Sequence, residues 1–136
     1  MRCLIDANVI LDVLSNRSPF VQDSSLIWKL CETDKIEGYV SVLTFADLVY
    51  VLRKELDPDS IEKVLSALKL IFVFTELNGN DLTAAASLKW NDYEDALQSV
   101  TAARIKADCI ITRNVGDFKE SAIKVWTPSE FLLRYI

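Results

Sequence analysis

Histidine is absent from all 136 residues. That excludes Ser-His-Asp and Cys-His catalysis, and any zinc site built with histidine. Hydrolytic chemistry would have to come from carboxylates, lysine, tyrosine or metal-bound water. Glycine and proline number three each, too few for a linker or a disordered tail. The three cysteines, Cys3, Cys31 and Cys109, show no C-x-x-C spacing and read as reduced core thiols. No apolar run approaches the ~20 residues that span a bilayer. In MRCLIDAN the acids arrive too early for a secretory signal. A cytoplasmic protein without a membrane partner is expected.

What is present is a hydrophobic half, 51% of the residues, and a net charge of −5. Such a length and composition suit a single domain over residues 1–136 with a sizeable core. The charge is opposite in sign to the basic surface that nucleic-acid binding uses. It fits better if several acids are metal ligands, because a divalent cation offsets part of it.

Strand and helix patterns alternate from end to end. RCLI (2–5), YVSVL (39–43), IFVFTEL (71–77), DCIIT (108–112) and IKVW (123–126) read as strands. Helical spacing follows Asp6, with Val9, Ile10, Val13 and Leu14. A second helix opens at Ser18-Pro19 and carries Leu26, Ile27 and Leu30. A third begins at Thr44, with Leu48, Val51 and Leu52 on its apolar face. Asp57-Pro58 caps the next helix, Asn78-Gly79 and Asn91-Asp92 the two after it, and Thr127-Pro128-Ser129-Glu130 is a capping box for the last. This alternation predicts an α/β three-layer sandwich, a central and mostly parallel sheet flanked by helices.

In such sheets ligands bind beyond the carboxyl ends of the strands, near the topological switch point. Five acids fall at strand-to-helix passages or helix starts: Asp6, Asp47, Asp92, Asp95 and Asp117. Each has a plain alternative. Asp6 and Asp92 serve as N-caps. Asp47 completes a box with Thr44, Asp95 answers a helix dipole, and Asp117 suits a solvated turn. Together they describe carboxylates converging on one edge, a hard oxygen site suited to Mg²⁺ or Mn²⁺ and to phosphoryl chemistry. Glu94 is turned about 100° from its neighbour and is expected to face solvent.

With these residues in place, the chain resembles the PIN-domain nucleases, a family that includes the VapC-like toxins of toxin–antitoxin pairs. The match lies in LIDANVILDVL (4–14), SVLTFADLVYVLRK (41–54), DYEDALQSVTAARIKADCIITRNVGDF (92–118) and VWTPSEFL (125–132). The resemblance implies an endoribonuclease whose acids hold Mg²⁺ or Mn²⁺. Asp6, Asp95 and Asp117 match the metal-binding acids. Asp47 stands where many members have Glu, one methylene longer, so a water-mediated reach is implied for it. Thr112, Asn114 and Asp92 are implied as supporting residues. Asp12 recurs in part of the family and reads as a helix-face charge.

On the RNA side Arg113 flanks the expected site most directly. Trp28, Trp90 and Trp126 have apolar neighbours and read as core or interface. Excess apolar positions around Leu26-Ile27-Leu30 and Val49-Tyr50-Val51 suggest a homodimer contact or a groove for an antitoxin peptide. Two other readings stand beside the nuclease. One is a PIN fold that binds RNA or protein without cutting. The other is a metal-dependent phosphatase, for which no phosphate-cradling Gly-rich loop is present.

Overall fold

The computed structural model describes residues 1–135. The chain runs β1 (Arg2–Ile5), α1 (Ala7–Leu14), α2 (Val21–Glu32), β2 (Glu37–Ser41), α3 (Val42–Leu52), α4 (Pro58–Ile71) and β3 (Val73–Thr75). There follow α5 (Gly79–Leu88), α6 (Tyr93–Arg104), β4 (Cys109–Ile111), a 3-10 turn (Val115–Phe118), β5 (Val125–Trp126) and α7 (Pro128–Tyr135). The strands form one sheet in the order β3-β2-β1-β4-β5, each neighbouring pair parallel. Helices cover it on both faces, giving the expected α/β sandwich.

Strand alternation divides the core. Cys3 and Ile5 of β1 and Cys109 and Ile111 of β4 pack with α1, α2, α3, α4 and α7. Leu4 and Ile110 point the other way, towards Ala102 of α6 and Phe118. Each fully buried Leu or Ile contributes about 1.5–3 kcal/mol. Gly38 lets β2 lie close to α2 and α4, since a Cβ there would stand 2.5 Å from Cys31 Sγ and 2.9 Å from Phe72 Cδ1. The three cysteines are buried and free, as expected of core thiols. Among the described residues no helix is long and apolar enough to cross a membrane.

Three element starts differ from the sequence reading. The second helix begins at Val21, beyond Ser18-Pro19. The third begins at Val42, and its cap is Ser41, whose Oγ accepts from the Thr44 backbone N–H at 3.3 Å. Thr44 is therefore inside the first turn, and Thr44-x-x-Asp47 is no capping box. The apolar run 39–43 straddles the passage from β2 to α3, and hydrophobicity alone cannot locate a cap inside it. For the same reason α4 claims Ile71 from the run read as a strand, leaving β3 three residues. The caps at Asp57, Asn78, Asp92 and Thr127 fall where their sequence signals place them.

Candidate active site

The order β2-β1-β4 makes the passage between β1 and β4 the switch point, because the chain leaves β1 for β2 and returns to β4 on its other side. Ile5 pairs with Ile111, so the next residues, Asp6 and Thr112, emerge side by side on the face covered by α6. Thr112 Oγ1 donates to Asp6 Oδ2 at 2.8 Å. The same hydroxyl oxygen accepts from Asn8 Nδ2 and from the Asn114 backbone N–H, both at 3.1 Å. Asp6 Oδ1 accepts from the Ala7 backbone N–H at 2.8 Å, capping α1. Asp6 is thus both a cap and a fixed carboxylate at the switch point.

α6 brings the next group. Asp92 caps it, accepting from the Asp95 backbone N–H at 3.2 Å. Asp95 and Gln98 lie three apart and share the inner face. Gln98 is buried and donates through Nε2 to Thr44 Oγ1 at 3.0 Å and Asp6 Oδ1 at 3.4 Å, while its Oε1 has no partner. Burial, followed by the charges of Asp92, Asp6 and Asp117, pushes the Asp95 carboxyl up to about 7. α3 places Asp47 one turn beyond Thr44, where burial and then the Asp6 charge raise its carboxyl. Asp117, in the exposed 3-10 turn, contributes charge across the cleft. The Asn114 side chain is exposed in the same loop.

Glu94 departs from its expected role. It is exposed, yet its carboxyl faces that of Asp47 closely enough to hydrogen-bond when either is protonated, and burial and Asp47 raise it. A helical-wheel angle measures position on one helix and misses a carboxylate on another. Gln98 and Asn8 were also missed. Their signals were the three-residue step from Asp95 and the position two residues past Asp6.

Asp12 overturns the reading of it as a helix-face charge. It is 0% exposed, and its Oδ2 accepts from Arg113 Nε at 2.8 Å and Ser24 Oγ at 3.1 Å. Val9, Ile10, Leu11 and Val13 around it were the available signal, since an acid set among apolar residues needs a buried partner. Arg113 follows Thr112 and so points to the opposite face of the sheet. Its guanidinium stands 4.0 Å over the Phe20 ring.

The ion pairs among the described residues involve Asp12, Glu37 and Asp81. Asp6, Asp47, Asp92, Glu94, Asp95 and Asp117 have no basic partner. Such an all-oxygen, mutually repelling set fits a hard divalent cation in its donor chemistry. As the side chains stand, no three metal-binding side chains among the described residues group closely enough to enclose one.

Residues 2–116 match the PIN domain family. The chain belongs to that family. No curated protein matches it significantly. Solved structures that share its fold include a toxin–antitoxin complex from Klebsiella pneumoniae, 21% identical, covering 93% of this chain and 97% of that one with a TM-score of 0.71. FitAcB from Neisseria gonorrhoeae is 19% identical over 93% and 98%, with a TM-score of 0.71. VapBC-1 from nontypeable Haemophilus influenzae is 14% identical over 95% and 99%, with a TM-score of 0.70.

Proposed function

We propose that this chain, acting as one PIN domain, is a metal-dependent endoribonuclease and the toxin of a toxin–antitoxin pair. The observation that carries the reading is the set of unpaired carboxylates at the β1–β4 switch point, with Asp95 raised to about 7. PIN domains are generally nucleases, and the fold is shared with proteins solved as toxin–antitoxin complexes. Asp6, Asp95 and Asp117 would hold Mg²⁺ or Mn²⁺, with Asp47 behind them. The bound ion would offset phosphate charge and lower the pKa of an attacking water. Thr112 orients Asp6 through its hydroxyl. Gln98 ties Asp6 to Thr44 from within the core. Asp92 fixes the start of α6, and the exposed Asn114 side chain, beside Thr112, is free to take a phosphate oxygen.

The test is cleavage of a mixed structured and single-stranded RNA pool with Mn²⁺, with EDTA, and by the Asp95→Asn variant. Cutting that needs Mn²⁺ and is lost in the folded variant is the expected result. Undiminished cutting by Asp95→Asn would remove that residue from the chemistry.

The absence of a ready three-carboxylate group among the described residues favours a second reading, a PIN fold that binds RNA or protein without cutting. RNA binding with no cleavage under any metal condition would establish it. For the antitoxin, the groove of about 550 Å³ between α3 and α4, walled by Val49, Ile61, Leu65 and Phe74 with Arg53 at its rim, can take an apolar segment. Leu26 and Tyr50, exposed on α2 and α3, suit a homodimer contact. A cytoplasmic location accompanies RNA as substrate.

A further inference from the structure

We infer that a pocket on the opposite face of β4 from the acids binds an unpaired base of the RNA strand, flanking the bond to be cut. The inference rests on the ribonuclease reading and assigns that site a base-binding subsite. The pocket measures about 390 Å³ and lies between the starts of α2 and α7, with Phe20, Asp23, Pro128 and Arg113 on its walls. That volume is in the range of small-ligand sites.

Its position follows from the backbone. Thr112 holds Asp6, and the next residue, Arg113, lines the pocket. The Arg113 backbone N–H donates to Asn8 Oδ1 at 3.1 Å, and Asn8 in turn donates to Thr112. The Thr112 backbone N–H donates to the Trp126 carbonyl at 3.0 Å, which sets the start of α7 beside the same edge. The pocket and the acids therefore adjoin at the same carboxyl end of β4, one on each side of it.

The wall chemistry selects a base over a phosphate. Arg113 is already neutralised by buried Asp12 at 2.8 Å, and Asp23 adds negative charge, so an anion gains little there. Phe20, 43% exposed, offers a flat apolar surface, with the buried Pro128 behind it in the wall. The Arg113 guanidinium is locked 4.0 Å from the Phe20 ring by its bond to Asp12, forming a rigid stacking platform. Unpaired bases stack on aromatic rings and on guanidinium planes. The terminal Arg113 nitrogens make no hydrogen bond among the described residues and can donate, while Asp23 can accept. A base edge presents partners for both.

The experiment uses the full chain in EDTA and a short single-stranded RNA carrying 2-aminopurine at each position in turn. Binding should quench the probe at the position that flanks the bond cut when Mn²⁺ is supplied. Phe20→Leu, at an exposed position, should keep the melting temperature, lose the quenching and bind about tenfold more weakly. Quenching at no position, or equal quenching in the variant, overturns the inference. RNA binding untouched by Phe20→Leu while the variant loses a protein partner overturns it too, and assigns the pocket to that partner. Cleavage without positional quenching removes the pocket and leaves the ribonuclease. Positional quenching without any cleavage keeps the pocket and removes the ribonuclease.

Discussion

Asp95 holds its proton to about 7 in the folded chain, against 3.8 ordinarily. Between those values the folded protein binds a proton that the unfolded one has released, so stability falls as pH rises through the window. Asp47 and Glu94 are raised and act in the same direction. Asp95→Asn removes the charge that burial and the neighbouring acids disfavour most. In EDTA at pH 7 the variant should melt higher than the native chain, by on the order of 1 kcal/mol once solvent screening is allowed for. The gap should close towards pH 4. Melting curves of both proteins across that range, repeated with Mn²⁺, check the sign, and the metal should raise only the native chain appreciably. A variant less stable at pH 7 would show that the Asp95 carboxylate is stabilised in the fold rather than disfavoured by burial and neighbouring charge. Asp6, Asp92 and Asp95 were legible in the sequence because caps and strand ends leave local marks. The contacts of Glu94 and Gln98 were not, since each depends on which helix faces α6.

α1 carries a tie whose partners no local pattern on α1 reveals. Asp12 joins α1 to Ser24 of α2 and to Arg113 beyond β4. Arg113→Ala would leave a buried carboxylate without its counter-charge, at a cost of about 3–5 kcal/mol. Replacing Asp12 and Arg113 together with apolar residues should cost much less. Urea unfolding of both variants separates the two cases, and equal losses would contradict the pairing argument. Gly38→Ala tests the approach of β2 to α2 and α4. The clash with Cys31 and Phe72 predicts a loss of about 1–3 kcal/mol in the same measurement. Helix caps were read correctly where a side chain announced them. The N-cap at Ser41 and the C-cap at Phe72 were obscured, because one apolar run serves a strand and a helix in turn.

At the scale of the molecule, strand–helix alternation made the parallel sandwich legible, whereas the strand order, and with it the switch point, required the pairing of β1 with both β2 and β4. The exposed Leu26 and Tyr50 bear on assembly. If the proposed homodimer uses them, Tyr50→Glu should shift the chain from dimer to monomer in light scattering at micromolar concentration. An unchanged mass would move the contact elsewhere. The central position of β1 also bears on the order of synthesis. Asp6 waits for Thr112, 106 residues later, and Asp12 for Arg113, 101 residues later. While the earlier part of the chain leaves the ribosome, one flank of β1 is open and a carboxylate destined for the interior has no counter-charge. The acid edge therefore cannot assemble until β4 and Thr112 have been made, so Asp6 spends the synthesis of the intervening 106-residue step without the hydroxyl that fixes it.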